Sequence, residues 1–98
     1  MAKQWYEKAA AQNSSDAQSS LGTIYYNGEG VTKDYAKAME WYRKAADQGN
    51  MYGEFNIGLF YEFGYGVTKN LDEAAKWYRR AANRGMERAK TKLQELGR

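Results

Sequence analysis

Behind Ser15 the apolar side chains Ala17, Leu21, Ile24 and Tyr25 recur at helical spacing with polar residues between them, as on a helix with one buried face. Ser15 is placed as the N-cap with Gln18 at the capping-box position, and Gly28 ends the run. A second pattern starts with Asp34 as its cap, carries Ala38, Tyr42 and Ala45 on one face and closes at Gly49. Both patterns then recur. Asn50, Ile57, Phe60, Tyr61 and Gly64 fill the first, while Asn70 with Glu73, then Ala74, Tyr78, Ala81 and a left-handed cap at Gly85, fill the second. The spacing predicts six short helices, at 3–13, 15–27, 34–48, 51–63, 70–84 and 86–96.

The recurrence has a fixed period. Trp5-Tyr6, Trp41-Tyr42 and Trp77-Tyr78 stand 36 residues apart each time, and residues 1–36 match 37–72 at 14 of 36 positions. About two matches would arise by chance on an ordinary composition. The shared positions include Gly22/Gly58, Tyr25/Tyr61, Gly28/Gly64, Gly30/Gly66 and Val31/Val67. One repeat domain over 1–98 follows, made of a partial unit at 1–13, units at 14–49 and 50–85, and a partial unit at 86–98.

Gly22 and Gly58 sit inside helices, where glycine costs about 1 kcal/mol against alanine. Their common position in the repeat points to close approach of a neighbouring helix, with Trp41 or Trp77 and the adjoining tyrosine filling the flanking space. The alanine pairs at 45–46 and 81–82 serve the same packing. Gly28-x-Gly30 and Gly64-x-Gly66 follow helices rather than strands and hold lysine at the third glycine position, which excludes a phosphate loop and leaves left-handed turns.

Composition narrows the chemistry. The chain has 98 residues, no cysteine and no histidine, so disulfides are excluded and the common metal, haem and thiol chemistries lose their usual ligands. Neither a signal-peptide core near the start nor an apolar run of spanning length is present, so the sequence predicts a soluble chain, cytoplasmic rather than secreted, with no membrane partner. The net charge of +3 divides into −2 over residues 1–72 and +5 over residues 73–98. The basic residues of the tail are spread around two helices, which favours a solvated end over a nucleic-acid surface.

The residues Leu21-Gly22-x-x-Tyr25-x-x-Gly28-x-Gly30-Val31, then Ala38-x-x-Trp41-Tyr42-x-Lys44-Ala45-Ala46-x-x-Gly49, resemble the Sel-1-like repeat, a relative of the tetratricopeptide repeat with a longer loop inside each hairpin. The resemblance covers essentially the whole chain, with Ile57 in place of Leu21 and departures at Asn13 and Gln94. It implies an all-α fold, a right-handed α-solenoid of stacked antiparallel hairpins, acting as a scaffold or adaptor for a protein or peptide without any cofactor. Some bacterial relatives stitch each hairpin with a disulfide, which this chain lacks the cysteines to do.

The resemblance also implies that the first helix of each hairpin lines a concave groove. Carried onto this sequence, the partner-facing positions are Asp16, Ser19, Thr23, Tyr26 and Asn27, then Tyr52, Phe55, Leu59, Glu62 and Phe63, then Arg88, Thr91 and Glu95. Tyr52, Phe55, Leu59 and Phe63 form one apolar stripe, readable as intramolecular core or as an exposed patch for a peptide or a second copy. The terminal helices lack mates, and Met86, Ala89, Leu93 and Leu96 make a further stripe through which the chain could dimerise. Glu54 and Glu62 read as solvated helix-face charges rather than a catalytic pair. A start in mid-repeat also admits an engineered or excised scaffold without a natural ligand.

Overall fold

The computed structural model describes residues 7–10 and 14–97; Trp5, Tyr6 and Asn13 of the sequence reading lie outside them. Residues 7–10 are helical and are labelled α1. There follow α2 (Ser15–Asn27), α3 (Tyr35–Asp47), α4 (Met51–Phe63), α5 (Leu71–Asn83) and α6 (Glu87–Leu96). No strand occurs among the described residues. Consecutive helices pack on one another to give an elongated solenoid measuring 41 × 25 × 17 Å.

Local chemistry sets the helix boundaries. Asp34 and Asn70 cap α3 and α5 by accepting from Lys37 N and Glu73 N, each at 3.0 Å. Acting as caps, they stand outside the helices, which therefore begin one residue later than the spacing predicts. The cap of α2 is Ser14, not Ser15: the Ser14 hydroxyl accepts from Ala17 N at 3.3 Å. Gln18 is then past the capping-box position, and its buried amide instead donates to Ala10 O at 3.4 Å and accepts from Gln48 Nε2 at 2.9 Å. Gly28 and Gly64 end α2 and α4 at φ 73°, a left-handed conformation that glycine adopts without a Cβ clash. The loops that follow close on the preceding helix through Asp34 N to Tyr25 O at 2.9 Å and Asn70 N to Tyr61 O at 2.8 Å.

The core is continuous in design but built from three successive clusters. Ala10, Ala17, Leu21 and Ile24 pack with Val31 and Trp41. Ala38, Met39, Tyr42, Ala46, Ile57 and Phe60 form the next, and Phe55, Ala74, Tyr78, Ala81, Ala82, Met86 and Ala89 the last. The glycines inside helices are explained by tyrosine. A Cβ on Gly22 would lie 2.5 Å from the Tyr42 ring, and one on Gly58 2.6 Å from the Tyr78 ring. Both tyrosines are buried, and burying a side chain of that size stabilises by roughly 1.5–3 kcal/mol, which offsets the glycine cost. Trp41 and Trp77 are half-buried, each stacked under a cation three residues on: Lys44 at 4.6 Å and Arg80 at 4.5 Å from the ring centroids.

Candidate partner-binding face

The first helices of successive hairpins, α2, α4 and α6, run side by side and are joined by their side chains. At the α2–α4 junction the link is polar. Asn50 caps α4 by accepting from Gly53 N at 3.0 Å, and it also accepts from Ser19 Oγ at 3.0 Å and donates to Ser15 Oγ at 3.2 Å and Asp16 Oδ1 at 2.9 Å. At the α4–α6 junction the equivalent residue is Met86, which caps α6 with no side-chain hydrogen bond. Met86 joins Phe55 in an apolar cluster against which Met51 packs. Ser15, Asp16 and Ser19 thus correspond, 36 residues on, to Met51, Tyr52 and Phe55, and each set suits the cap it faces.

Five rings link the two hairpins further along. Tyr26 of α2 lies 5.6 Å from Phe60 and 5.5 Å from Tyr65, Tyr35 lies 5.1 Å from Tyr65, and Phe63 lies 5.7 Å from Tyr65. Separations of this size favour tilted and edge-on aromatic pairing. Across the α4–α6 junction two cations sit over aromatic rings, Arg88 at 4.9 Å from the Phe55 centroid and Lys92 at 5.4 Å from that of Phe63.

The anticipated partner-facing residues therefore divide into three groups. Ser19 and Phe55 are buried, at 8% and 3% exposure, and are corrections to the sequence reading: one belongs to the Asn50 network, the other to the core. Thr23, Tyr26, Leu59 and Glu62 are half-buried and engaged within the chain, Thr23 with the Tyr42 hydroxyl at 2.9 Å and Glu62 with Tyr78 at 2.6 Å and Lys92 at 3.4 Å. Asp16, Asn27, Tyr52, Phe63, Arg88, Thr91 and Glu95 are exposed. The apolar stripe on α4 is thus part core and part surface. Its centre is covered and its ends, Tyr52 at 54% and Phe63 at 51% exposure, are the exposed large hydrophobics among the described residues.

The stripe on α6 is also turned inward. Met86 and Ala89 are buried and Leu93 and Leu96 partly so, all packed on the cluster that contains Phe55 and Tyr78. Glu54 is not a solvated helix-face charge. It is 2% exposed and accepts from Arg84 Nε at 2.8 Å, at the edge of a hollow between the ends of α3 and α5 that Gly49, Arg80 and Asn83 help to line. Burial of a carboxylate requires such a partner.

Titration follows burial. Desolvation raises the Tyr42 hydroxyl to about 12 against the lowering effect of its Thr23 hydrogen bond. Burial, then the hydrogen bond and charge of Glu62, raise Tyr78, and burial followed by a Tyr65 hydrogen bond raises Tyr26. All three move away from neutrality. Among the described residues no set of three or more carboxylates could hold a metal ion, and no helix is long and apolar enough to cross a membrane.

Asn50, Tyr35, Tyr65, Arg84 and Lys92 escaped the sequence reading of the face. The signal for Asn50 lay in comparing the units with each other, since Asn50 and Met86 change together with the residues that face them. For Arg84 the same comparison of units holds the signal, since Gln18 and Gln48, which hydrogen-bond to each other, become Glu54 and Arg84 36 residues on; for Lys92 and Glu62 the earlier positions, Asn56 and Tyr26, carry no charge to set against them.

Comparison with known proteins agrees with this architecture. The model of the Sel1 repeat matches residues 1–14, 15–50 and 52–86. A Sel1 repeat protein from Oxalobacter formigenes superposes with a TM-score of 0.82 at 46% identity, over 89% of this chain and 36% of that one. A protective antigen of uropathogenic Escherichia coli displaying an SLR fold gives 0.92 at 37%, over 96% of this chain and 20% of that one. Cysteine rich protein B of Helicobacter pylori gives 0.86 at 35%, over 93% and 68%. This chain thus spans about a third and a fifth of the first two structures' own lengths. No curated protein matches it.

Proposed function

The chain belongs to the Sel1 repeat family, whose members are generally protein-interaction scaffolds, and from that premise we propose that it holds a protein or peptide partner on the face built by α2, α4 and α6. The observation that carries this reading is the position of Tyr52 and Phe63. They lie at the two ends of one stripe on α4, each about half exposed, while the residues between them are covered by the chain's own helices. Large apolar side chains left open on a solvated surface are the groups from which interface energy is usually drawn.

The double substitution Tyr52→Ser/Phe63→Ser tests it. Both side chains are exposed, so the melting temperature should change by only a few degrees, and capture of partners from a peptide library should fall by at least tenfold. Undiminished capture by the folded double variant would refute the assignment of this face.

A further inference from the structure

We propose that the segment held on this face is an acidic one, about five residues long, with a carboxylate seated at Arg88 between apolar side chains that cover Tyr52 and Phe63. The inference rests on the docking reading above and adds the chemistry of the partner. It comes from charge accounting on α6. Lys90 pairs with Glu87 at 3.2 Å, and Lys92 pairs with Glu62 at 3.4 Å and Glu95 at 4.0 Å. Arg88 has no carboxylate within ion-pair distance among the described residues, yet its guanidinium carbon lies over the buried Phe55 ring, 4.9 Å from the centroid. The ring contact restrains the exposed guanidinium without using up its five N–H donors, which can pair with an incoming carboxylate.

The space beside it fits a side chain rather than a small molecule. Phe55, Arg88, Thr91, Lys92 and Glu95 line a depression of about 260 Å³. That is below the roughly 300–1,000 Å³ usual for pockets that enclose a drug-sized ligand. Tyr52 and Phe63 are eleven residues apart on α4. At about 1.5 Å per residue they are separated by roughly 16 Å along the helix axis. An extended peptide covers that distance in about five residues at roughly 3.3 Å each. The basic balance of residues 73–98, +5 in all, favours an acidic partner over a basic one at longer range.

A phage library of random linear peptides, selected in parallel on the wild-type chain and on Arg88→Glu, tests the proposal. Peptides from the wild type should be enriched in Asp or Glu within two or three residues of aromatic or aliphatic side chains. The most enriched of them, made synthetically and followed by fluorescence anisotropy, should bind Arg88→Glu about ten- to a hundredfold more weakly, the scale of losing a hydrogen-bonded charge pair. Its affinity for the wild type should also fall with added salt, a readout independent of any variant. Selected peptides without acidic bias, or an affinity for folded Arg88→Glu within twofold of wild type, overturn the inference while leaving the docking face in place. Selection that yields no peptide dependent on Tyr52 and Phe63 overturns both.

Discussion

Substituting Gly22 by alanine sets two effects of known sign against each other. In a helix interior alanine is favoured over glycine by about 1 kcal/mol, so on propensity alone Gly22→Ala stabilises α2. The added Cβ, however, would stand 2.5, 2.6 and 2.9 Å from three ring atoms of Tyr42. Those atoms belong to a rigid ring that cannot fold away. Tyr42 is 2% exposed, its hydroxyl lies 2.9 Å from Thr23 Oγ1, and its ring meets Phe60 edge-on at 5.6 Å. Displacing it costs about 1–3 kcal/mol in overpacking and roughly another 0.5–1.5 kcal/mol if the hydroxyl loses its partner. The net expectation is a loss of about 1–3 kcal/mol, or a fall of roughly 5–20 °C in melting temperature for a domain of this size. Circular dichroism melts and urea titration of Gly22→Ala measure it. The paired control is Gly22→Ala in a Tyr42→Leu background, where the clash is gone and the helix preference should make the alanine neutral or stabilising. Gly22→Ala as stable as the parent in the presence of Tyr42 would refute the close-approach argument.

Three further expectations come from burial and helix capping. Tyr42 is raised to about 12 by burial, against an ordinary value of 10.0, so the folded chain keeps that proton at pH values where the unfolded chain releases it. The stability it contributes is complete below pH 10 and is lost as pH rises from there through the folded value, by up to about 1.4 kcal/mol per pH unit; urea midpoints across this range should fall, and a flat profile would contradict the burial of the ring. Asn50→Ala should cost about 1–2 kcal/mol by removing the cap of α4, while Met86→Asn, though it supplies α6 with a capping side chain, should also destabilise because roughly 1.5–3 kcal/mol of buried methionine is exchanged for about 1 kcal/mol of cap; a Met86→Asn chain melting above the parent would contradict the apolar reading of that junction.

The fold was legible because its determinants repeat. Helix limits, capping residues and the glycine positions can be read from local spacing, and the Trp-Tyr pairs set the register of the whole. The face was only partly legible. A helical stripe shows which side chains share a side, but not which of them a neighbouring helix covers. Phe55 and Tyr52 carry the same signal in sequence, and only the approach of α6 makes one core and the other surface. Glu54 was misread for the same reason, since its partner Arg84 lies thirty residues on and nothing in the local pattern announces burial. Ser19 fails by a different route, because a small polar residue on an open-seeming face is drawn inward by a cap it does not adjoin in sequence.

The change of Asn50 to Met86 between successive junctions gives the array a kind of grammar. A second copy of residues 50–85 inserted after residue 85 would set an asparagine against Met51 and Phe55, where its amide nitrogen would meet no counterpart of the Ser15 and Asp16 acceptors. Lengthening such a chain by copying one unit is therefore penalised at the new joint, and only neighbours altered together can be read in sequence without error.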